Sequence, residues 1–207
     1  DFSAYSAVVL GPGLGREDRD EKVMRKLFHG YKGSLVIDAD GLNNVGRFDL
    51  AEDLRSSEAE IVITPHPGEA GRLLEVEGIE DRREAVRALA KKYNCIAILK
   101  GQGTLVTGDG EDVWKNPTGN PGMATGGSGD VLAGIVGALA AQGYPLVDAA
   151  RIGVYVHGLA GDLCAESLGE TGMTAGDLCD LLTRVFKRLT KNSGGNDGNQ
   201  RTGKNGK

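Results

Sequence analysis

The sequence predicts an α/β protein in three layers, with a mostly parallel central sheet covered by helices on both faces. Its apolar runs are short and continuous rather than alternating, which is typical of strands buried on both sides. These runs alternate with helical segments along the chain. With 207 residues, 40% of them hydrophobic, the chain can bury one core. We therefore expect a single domain over residues 1–190.

Strands and helices alternate through the first half of the chain. SAVVLG is an apolar run that ends in glycine, and the residues after it have the helical spacing of apolar side chains. SLVID and IVITP are the next predicted strands. We expect one helix from about Glu69 and another over Arg82–Tyr93.

The second half ends in helices. CIAILKG and TLVTG are predicted strands separated by a Gly-Gln-Gly turn, and EDVWK is a predicted edge strand. After a glycine-rich segment, the chain has helical patterns as far as Thr190. Residues 191–207 contain no apolar side chain and are predicted to be a disordered tail. The chain starts just before its first strand, so we expect it to be incomplete at its N-terminus.

Composition narrows the class of function. The formal net charge is −5, so we expect no nucleic-acid partner, and an anionic substrate would need local positive groups. No apolar run is long enough to span a bilayer, and we expect no membrane association. The three cysteines share no metal-binding spacing and lie in apolar contexts, which indicates buried, reduced thiols in a cytoplasmic protein.

The stretch ATGGSGD, before an Ala-rich helical pattern, is the strongest candidate site. Unpaired N–H groups and the dipole at such a helix start can bind phosphate, which predicts an anion hole at Gly126, Gly127, Ser128 and Gly129. Asp130 could then accept a proton from a hydroxyl held against a phosphoryl group. The alternative is that Asp130 is only a helix N-cap.

Three loops that follow predicted strands carry further candidates. GPGLG, residues 11–15, lacks the GxGxxG spacing of a dinucleotide site, so it is a substrate-contacting turn or a structural one. Asp38 and Asp40 could hold Mg²⁺ through waters, or form an Asx turn. His66 lies between two prolines and is predicted to contact a ligand, whereas Glu69 could simply favour the start of a helix.

The segment from Lys100 to Thr104 is a candidate nucleotide-phosphate contact. Lysine after a strand, followed by Gly-x-Gly-Thr, is not a Walker loop but places a cation beside flexible backbone. His157 lies in an apolar helical pattern and is interpreted as a core histidine.

Taken in order, the motifs resemble those of the ADP/ATP-dependent NAD(P)H-hydrate dehydratase family, which has a ribokinase-like fold. These motifs are GPGLG, DADGLN, TPHPGEAGRLL, LKGQGT, NPTGNPGMATGGSGDVLAGI and VHGLAGD, between Val8 and Asp162. The resemblance implies that ADP or ATP phosphorylates the C6 hydroxyl of hydrated NADH or NADPH, after which phosphate departs. Family members usually carry further elements before the GPGLG strand.

The family motifs also imply a role for each candidate residue. Asp130 would be the catalytic base and Gly126–Gly129 the anion hole. Mg²⁺ would lie on the phosphates. Its protein ligands are not assigned by the resemblance, and the candidates are Asp38, Asp40 and Glu69. The nucleotide would contact Lys100, Gly101, Gln102, Gly103, Thr104 and Gly129, and the hydrate would contact Gly13, Gly15, His66 and Asp130. The resemblance further implies a homo-oligomer, commonly a tetramer, and an NAD(P)H-hydrate epimerase as a functional partner.

Two other functions are alternatives, although TPHPGE together with NPTGNPGMATGG argues against the first of them. A small-alcohol kinase of the same fold would share the Gly-Asp helix start but would leave a stable phosphoester. A nucleotide-binding module without turnover is the second alternative.

Overall fold

A six-stranded mixed sheet forms the centre of the computed structural model, which describes residues 2–193. The strands are β1 (Ala7–Leu10), β2 (Ser34–Ile37), β3 (Glu60–Ile63), β4 (Ile96–Leu99), β5 (Leu105–Thr107) and β6 (Trp114–Lys115). They lie side by side in chain order: β1 to β4 are parallel, β5 pairs antiparallel with β4, and β6 pairs antiparallel with β5. Leu10, Ile37 and Ile63 pair in register, so β1, β2 and β3 end level at their carboxyl ends.

Eight α-helices and one short 3₁₀ helix, Pro121–Met123, surround the sheet within the described range. The α-helices are α1 (Asp18–Gly30), α2 (Ala39–Arg47), α3 (Ala51–Arg55), α4 (Pro67–Leu74), α5 (Arg82–Tyr93), α6 (Ser128–Ala141), α7 (Leu146–Leu168) and α8 (Ala175–Ser193). Successive parallel strands cross over with one handedness, so α1 to α5 cover the same face. Helices α6 and α7 cover the other face, and α8 packs against them.

Alternate residues of the central strands supply the two cores. Leu35 and Ile37 of β2 pack with α1 to α5, whereas Val36, between them, packs with α6 and α7. All three are fully buried. The three-layer α/β architecture predicted from continuous apolar runs is therefore confirmed.

The differences from the predicted elements are local. Helix α5 begins and ends at the predicted residues, whereas α2 and α3 were not predicted. Helix α8 extends to Ser193, and residues 194–207 of the predicted disordered tail lie outside the described residues. All three cysteines are free, but Cys179 is exposed, so the expectation that every thiol is buried is wrong. Across residues 2–193, no helix is both long and apolar enough to cross a membrane.

Glycines allow α6 to lie close to both the sheet and α7. A Cβ added at Gly137 would lie 2.6 Å from Val9 Cγ2 on β1. One added at Gly153 would lie 2.7 Å from Val136 Cγ2 on α6. Both distances are shorter than carbon atoms can approach, so these helices pack directly on glycine backbone.

Replacement of Gly153 by alanine should destabilise the protein by about 1–3 kcal/mol, because the added methyl overpacks the interface between α6 and α7. Gly134→Ala is the matched control, since a Cβ at this exposed position in α6 has no atom within 4 Å. This control should be neutral or stabilising by roughly 0.5–1 kcal/mol. Urea unfolding measures both, and equal free energies of unfolding for the two variants would contradict the close packing.

Candidate functional site

The candidate site lies at the carboxyl edge of the parallel strands. Asp38 directly follows β2, Thr64 follows β3 and Lys100 follows β4, so loops far apart in sequence meet there. The first turn of α6 reaches the same edge, as its contacts with Lys100 and Asp38 show. Ligands of open α/β sheets usually bind at this edge.

A buried ion pair forms the floor of the site. Lys100 Nζ lies 2.6 Å from Asp38 Oδ1, and only 1% of the Asp38 side chain is exposed. Thr64 Oγ1 also donates to Asp38 Oδ1, at 2.7 Å, and Lys100 Nζ lies 3.8 Å from Glu69 Oε2. The lysine is therefore held between two carboxylates rather than pointing freely into solvent.

His66 caps helix α4. Its Nδ1 accepts hydrogen bonds from the N–H groups of Gly68 and Glu69, at 3.0 and 3.3 Å. In return, the Glu69 carboxylate accepts the His66 N–H at 2.8 Å, which completes a capping box. The other ring nitrogen lies 3.5 Å from Glu69 Oε1, and the ring is half exposed. The predicted ligand-contacting histidine is thus fixed in orientation by its own helix.

The start of α6 leaves backbone donors free. Gly127 is the N-cap, with φ 85°, and it supplies no capping side chain. In the described part of the chain, no acceptor contacts the N–H of Gly129 or of Asp130. Asp130 is the third helical residue and is exposed, and its carboxylate makes no hydrogen bond or ion pair there. The alternative that Asp130 is the N-cap is therefore wrong.

Gly129 brings this helix start against the ion pair. A Cβ added at Gly129 would lie 3.2 Å from Lys100 Nζ and 3.6 Å from Asp38 Oδ2. The unpaired N–H groups of the first turn and the lysine ammonium therefore lie side by side. The charge of Lys100 is offset by Asp38 and Glu69, so the unpaired N–H groups of the helix start are the groups available to bind an anion.

His157 belongs to this site, which the sequence did not indicate. Its Nε2 lies 3.2 Å from the hydroxyl of Ser128, the first residue of α6. Burial lowers the pKa of His157 to about 4, the hydrogen bond to Ser128 opposes this shift, and the charge of Lys100 adds to it. The imidazole is therefore neutral at pH 7 and orients a serine in the predicted anion hole.

The NPTGN segment is fastened to α7. A Cβ added at Gly158 would lie 2.2 Å from Thr118 Oγ1, so the segment passes directly over the glycine. Asp162 accepts hydrogen bonds from Gly119 N at 2.9 Å and from Asn120 Nδ2 at 3.1 Å. The VHGLAGD motif therefore positions the glycine-rich segment that leads into α6.

The GPGLG loop is held by Asp40. Its carboxylate accepts Gly15 N at 3.2 Å and Arg16 Nε at 3.0 Å. The hydrogen bond from Arg16 lowers the pKa of Asp40 below its ordinary value. Gly11 contacts the backbone of Asp38, since an added Cβ would lie 1.7 Å from its carbonyl oxygen, whereas Gly13 faces open space.

The carboxylates of Asp38 and Asp40 thus have different partners, Lys100 for Asp38 and Arg16 for Asp40. Their binding of Mg²⁺ through waters stays a prediction. Within residues 2–193, no group of three His, Cys, Asp or Glu side chains is arranged to hold a metal ion. Glu69 lies near Asp38 only through Lys100, which interacts with both carboxylates.

The turn from Lys100 to Thr104 is clamped by Arg82, a residue that the sequence did not single out. The guanidinium donates to the carbonyl oxygens of Lys100 at 3.3 Å and of Gln102 at 2.6 Å. Thr104 Oγ1 donates to Gly101 O at 2.9 Å, which closes the turn, and Gly103 has a φ of 58°. The backbone of the predicted nucleotide-binding turn is therefore fixed.

The structure brings most of the predicted residues to one edge. Lys100, Glu69, His66, Gly129 and Asp130 lie around the ion pair, and Gly13 and Gly15 lie in the neighbouring loop. A cavity of about 840 Å³ lies at the opposite edge of the sheet and contains none of these residues. Sequence reasoning missed the roles of Thr64, Arg82 and His157. These residues make hydrogen bonds to partners 17 to 29 positions away in the chain.

A family model described as NAD(P)H-hydrate dehydratase matches residues 1–184. The chain is 48% identical over 183 residues to the bifunctional NAD(P)H-hydrate repair enzyme Nnr of Vibrio cholerae. The aligned region covers 87% of the chain and 35% of that protein. It is 39% identical over 191 residues to the ADP-dependent (S)-NAD(P)H-hydrate dehydratase of Neisseria meningitidis, covering 90% of the chain and 64% of that protein.

Solved structures show the same fold. The ADP/ATP-dependent NAD(P)H-hydrate dehydratase of Bacillus subtilis, co-crystallised with ATP/Mg²⁺, superimposes with a TM-score of 0.77 at 27% identity, over 89% of the chain and 65% of that protein. A ribokinase-like superfamily protein of Enterococcus faecalis superimposes with a TM-score of 0.75 at 28% identity, over 88% of the chain and 63% of that protein. The fold is ribokinase-like. The chain spans about a third of the length of the first curated relatives it matches.

Substitution of Lys100 by methionine should destabilise the protein by about 3 kcal/mol or more, because it leaves the Asp38 carboxylate buried without its ion partner. Lys91→Met is the matched control, since Lys91 pairs with Glu111 where both side chains are mostly exposed. That change should cost less than about 1 kcal/mol. Chemical unfolding of both variants tests the difference, and similar losses would show that the Lys100 pair behaves like a surface pair.

At pH values below about 6.5, the stability of the protein should decrease in a way that depends on His157. The folded state disfavours protonation of this ring, so the unfolded state binds more protons as the pH falls from about 6.5 towards about 4. The loss is at most about 3 kcal/mol. Thermal melting of the protein and of His157→Gln between pH 7 and pH 4.5 checks this, and parallel pH profiles for the two proteins would contradict it.

Proposed function

We propose that this chain, which belongs to the NAD(P)H-hydrate dehydratase family, uses ADP or ATP to convert hydrated NADH or NADPH back to the reduced dinucleotide. The substrate class follows from the names of the relatives, and the chemistry follows from the site. Hydroxide is a poor leaving group, so the C6 hydroxyl must first be activated. Phosphorylation does this, because phosphate leaves far more readily than hydroxide.

Asp130 is the proposed base. It would take the proton from the C6 hydroxyl while that oxygen attacks the terminal phosphoryl group of the nucleotide. The bond from the phosphoryl group to the nucleotide breaks, which leaves a phosphoester at C6. The lone pair of the ring nitrogen then expels inorganic phosphate, and loss of a proton from C5 restores the ring double bond.

One observation carries this proposal: the Asp130 carboxylate has no partner among residues 2–193 although it lies at the open end of α6. This carboxylate does not cap the helix, and it lies beside unpaired N–H groups at the helix start. The unpaired N–H groups beside it would stabilise the charge of the transferring phosphoryl group. Gly126, Gly127, Ser128 and Gly129 form this proposed anion hole.

The two ligands are proposed to approach from opposite sides of Asp130. The nucleotide would lie on the turn from Lys100 to Thr104 and on Gly129, beside the unpaired N–H groups of α6. The hydrate would lie against Gly13, Gly15 and His66, on the side of β1 and β3. Gly13 faces open space and can accept a ring close to its backbone.

Magnesium would enter with the phosphates. The described residues offer no cluster of three ligands, and Lys100 occupies the inner carboxylates, so the protein by itself does not form a metal cage. Mg²⁺ commonly binds through substrate phosphates and retained waters. No step of the proposed reaction is therefore assigned to a protein-bound metal.

The setting of the reaction is also a proposal. We place it in the cytoplasm, on a domain of residues 1–190 that acts as a homo-oligomer. Its proposed functional partner is an NAD(P)H-hydrate epimerase, and the relatives named bifunctional NAD(P)H-hydrate repair enzymes support a second activity beside the dehydratase. That partner would convert one hydrate epimer into the other.

A small-alcohol kinase remains the rival function, because it would use the same base and anion hole. The two differ in their products, since a kinase leaves a stable phosphoester whereas the dehydratase releases inorganic phosphate.

Substitution of Asp130 by asparagine should lower kcat with hydrated NADPH by about a hundredfold or more, because the base is lost. Nucleotide binding should be retained, since the anion hole is built from backbone. Recovery of the absorbance of the reduced nicotinamide measures turnover, and calorimetry measures nucleotide binding.

Asp148→Asn is the matched control for this variant. Asp148 is also an exposed aspartate at the third position of a long helix, but at the start of α7. It should keep full activity. An active Asp130→Asn protein would refute the assignment of the base.

A further inference from the structure

Two arginines lie beside the proposed hydrate pocket and extend it along the protein surface. Arg72 Nη2 donates to Asn43 Oδ1 at 3.0 Å, and Asn43 Nδ2 donates to Asp40 Oδ1 at 3.4 Å. Asp40 in turn binds Arg16 Nε at 3.0 Å. We refer to Arg16, Asp40, Asn43 and Arg72 as the arginine rim.

The rim joins both sides of the hydrate pocket. At one end, Asp40 accepts the N–H of Gly15. At the other end, Gly68 separates His66 from Arg72: a Cβ added at Gly68 would lie 3.0 Å from His66 Cε1 and 3.9 Å from Arg72 Nη1. The guanidinium of Arg72 is therefore a near neighbour of the histidine proposed to contact the hydrate.

The rim carries free positive charge. Arg16 is paired with Asp40, but Arg72 has no carboxylate within 4.0 Å among residues 2–193. Both arginines are exposed, and most of their N–H donors have no acceptor within the described residues. These free donors beside the proposed hydrate pocket can bind an anion. The planar fork of arginine fits the two oxygens of a phosphate group.

We propose that Arg72, assisted by Arg16, binds the diphosphate of the hydrated dinucleotide. The identity of this ligand rests on the proposed function. The diphosphate is attached to the ribose that carries the nicotinamide, so it lies next to the ring that His66 would contact. The 2′-phosphate of NADPH lies on the adenosine at the far end. The rim therefore binds a group that hydrated NADH and hydrated NADPH share.

The test uses Arg72→Gln and Arg16→Gln, with Arg184→Gln as the control. Arg184 is an exposed arginine on α8, on the opposite side of the sheet, so it carries the same change in charge without approaching the rim. Arg72→Gln should raise KM by about tenfold or more for both hydrates and by the same factor. The kcat and the KM for the nucleotide should stay unchanged. Arg16→Gln should show a smaller effect in the same direction, and Arg184→Gln none.

Three outcomes would overturn the proposal. Unchanged KM values would show that Arg72 does not bind the substrate. A rise confined to hydrated NADPH would assign Arg72 to the 2′-phosphate instead. A rise in the KM for ADP or ATP would place the phosphoryl donor on the rim.

Calorimetric titration with hydrated NADH, without nucleotide, separates this proposal from the proposed function. Binding that weakens about tenfold in Arg72→Gln supports the rim even if the protein shows no turnover. Turnover together with binding that does not depend on Arg72 would overturn the rim and leave the function standing. Failure of hydrated NADH to bind the unaltered protein would overturn both.

Discussion

The ion pair between Asp38 and Lys100 holds the carboxyl edge of the sheet together. It links the ends of β2 and β4 across the end of β3. The hydroxyl of Thr64, which follows β3, donates to the same carboxylate. Charges removed from water are stable only when they are paired and hydrogen-bonded. Asp38, Thr64 and Lys100 must therefore stay in contact, which fixes the start of each loop that follows these strands. Gly129 lies directly against the pair, since an added Cβ would lie 3.2 Å from Lys100 Nζ. The pair therefore borders the helix start that carries Asp130.

Groups that can bind phosphate lie at this edge of an acidic protein. The N–H groups of α6 and the arginine rim are the proposed contacts for the phosphate groups of the two ligands. His157 stays neutral beside Lys100 because burial lowers its pKa, so it orients Ser128 without adding a competing charge. Asp130 is the group of opposite sign that lies free at this helix start. It therefore suits proton transfer rather than anion binding.

The sheet and the place of the site could be predicted because they depend on local signals. Continuous apolar runs indicate buried strands, and glycine, proline and aspartate after each run indicate loops at one edge. Contacts between side chains that lie far apart in the sequence could not be predicted, because they depend on how the helices pack. His157 has the spacing of a core residue, yet it reaches a serine 29 positions away. Lys100 was expected to contact a nucleotide, and the sequence gives no sign that its ammonium also neutralises Asp38. The contact between Arg72 and Asn43 likewise requires α2 and α4 to be side by side.

The most direct test of the central claim follows the oxygen atom of the substrate. NADPH hydrated with heavy-isotope water carries the label in its C6 hydroxyl, and the protein is incubated with this hydrate, Mg²⁺ and ADP or ATP. If the hydroxyl is phosphorylated before it leaves, the label will be recovered in inorganic phosphate, in equal amount to the NADPH formed. Label recovered in water would show dehydration without a phosphoester. Label retained in a stable phosphorylated product would identify a kinase, and either result would contradict the account.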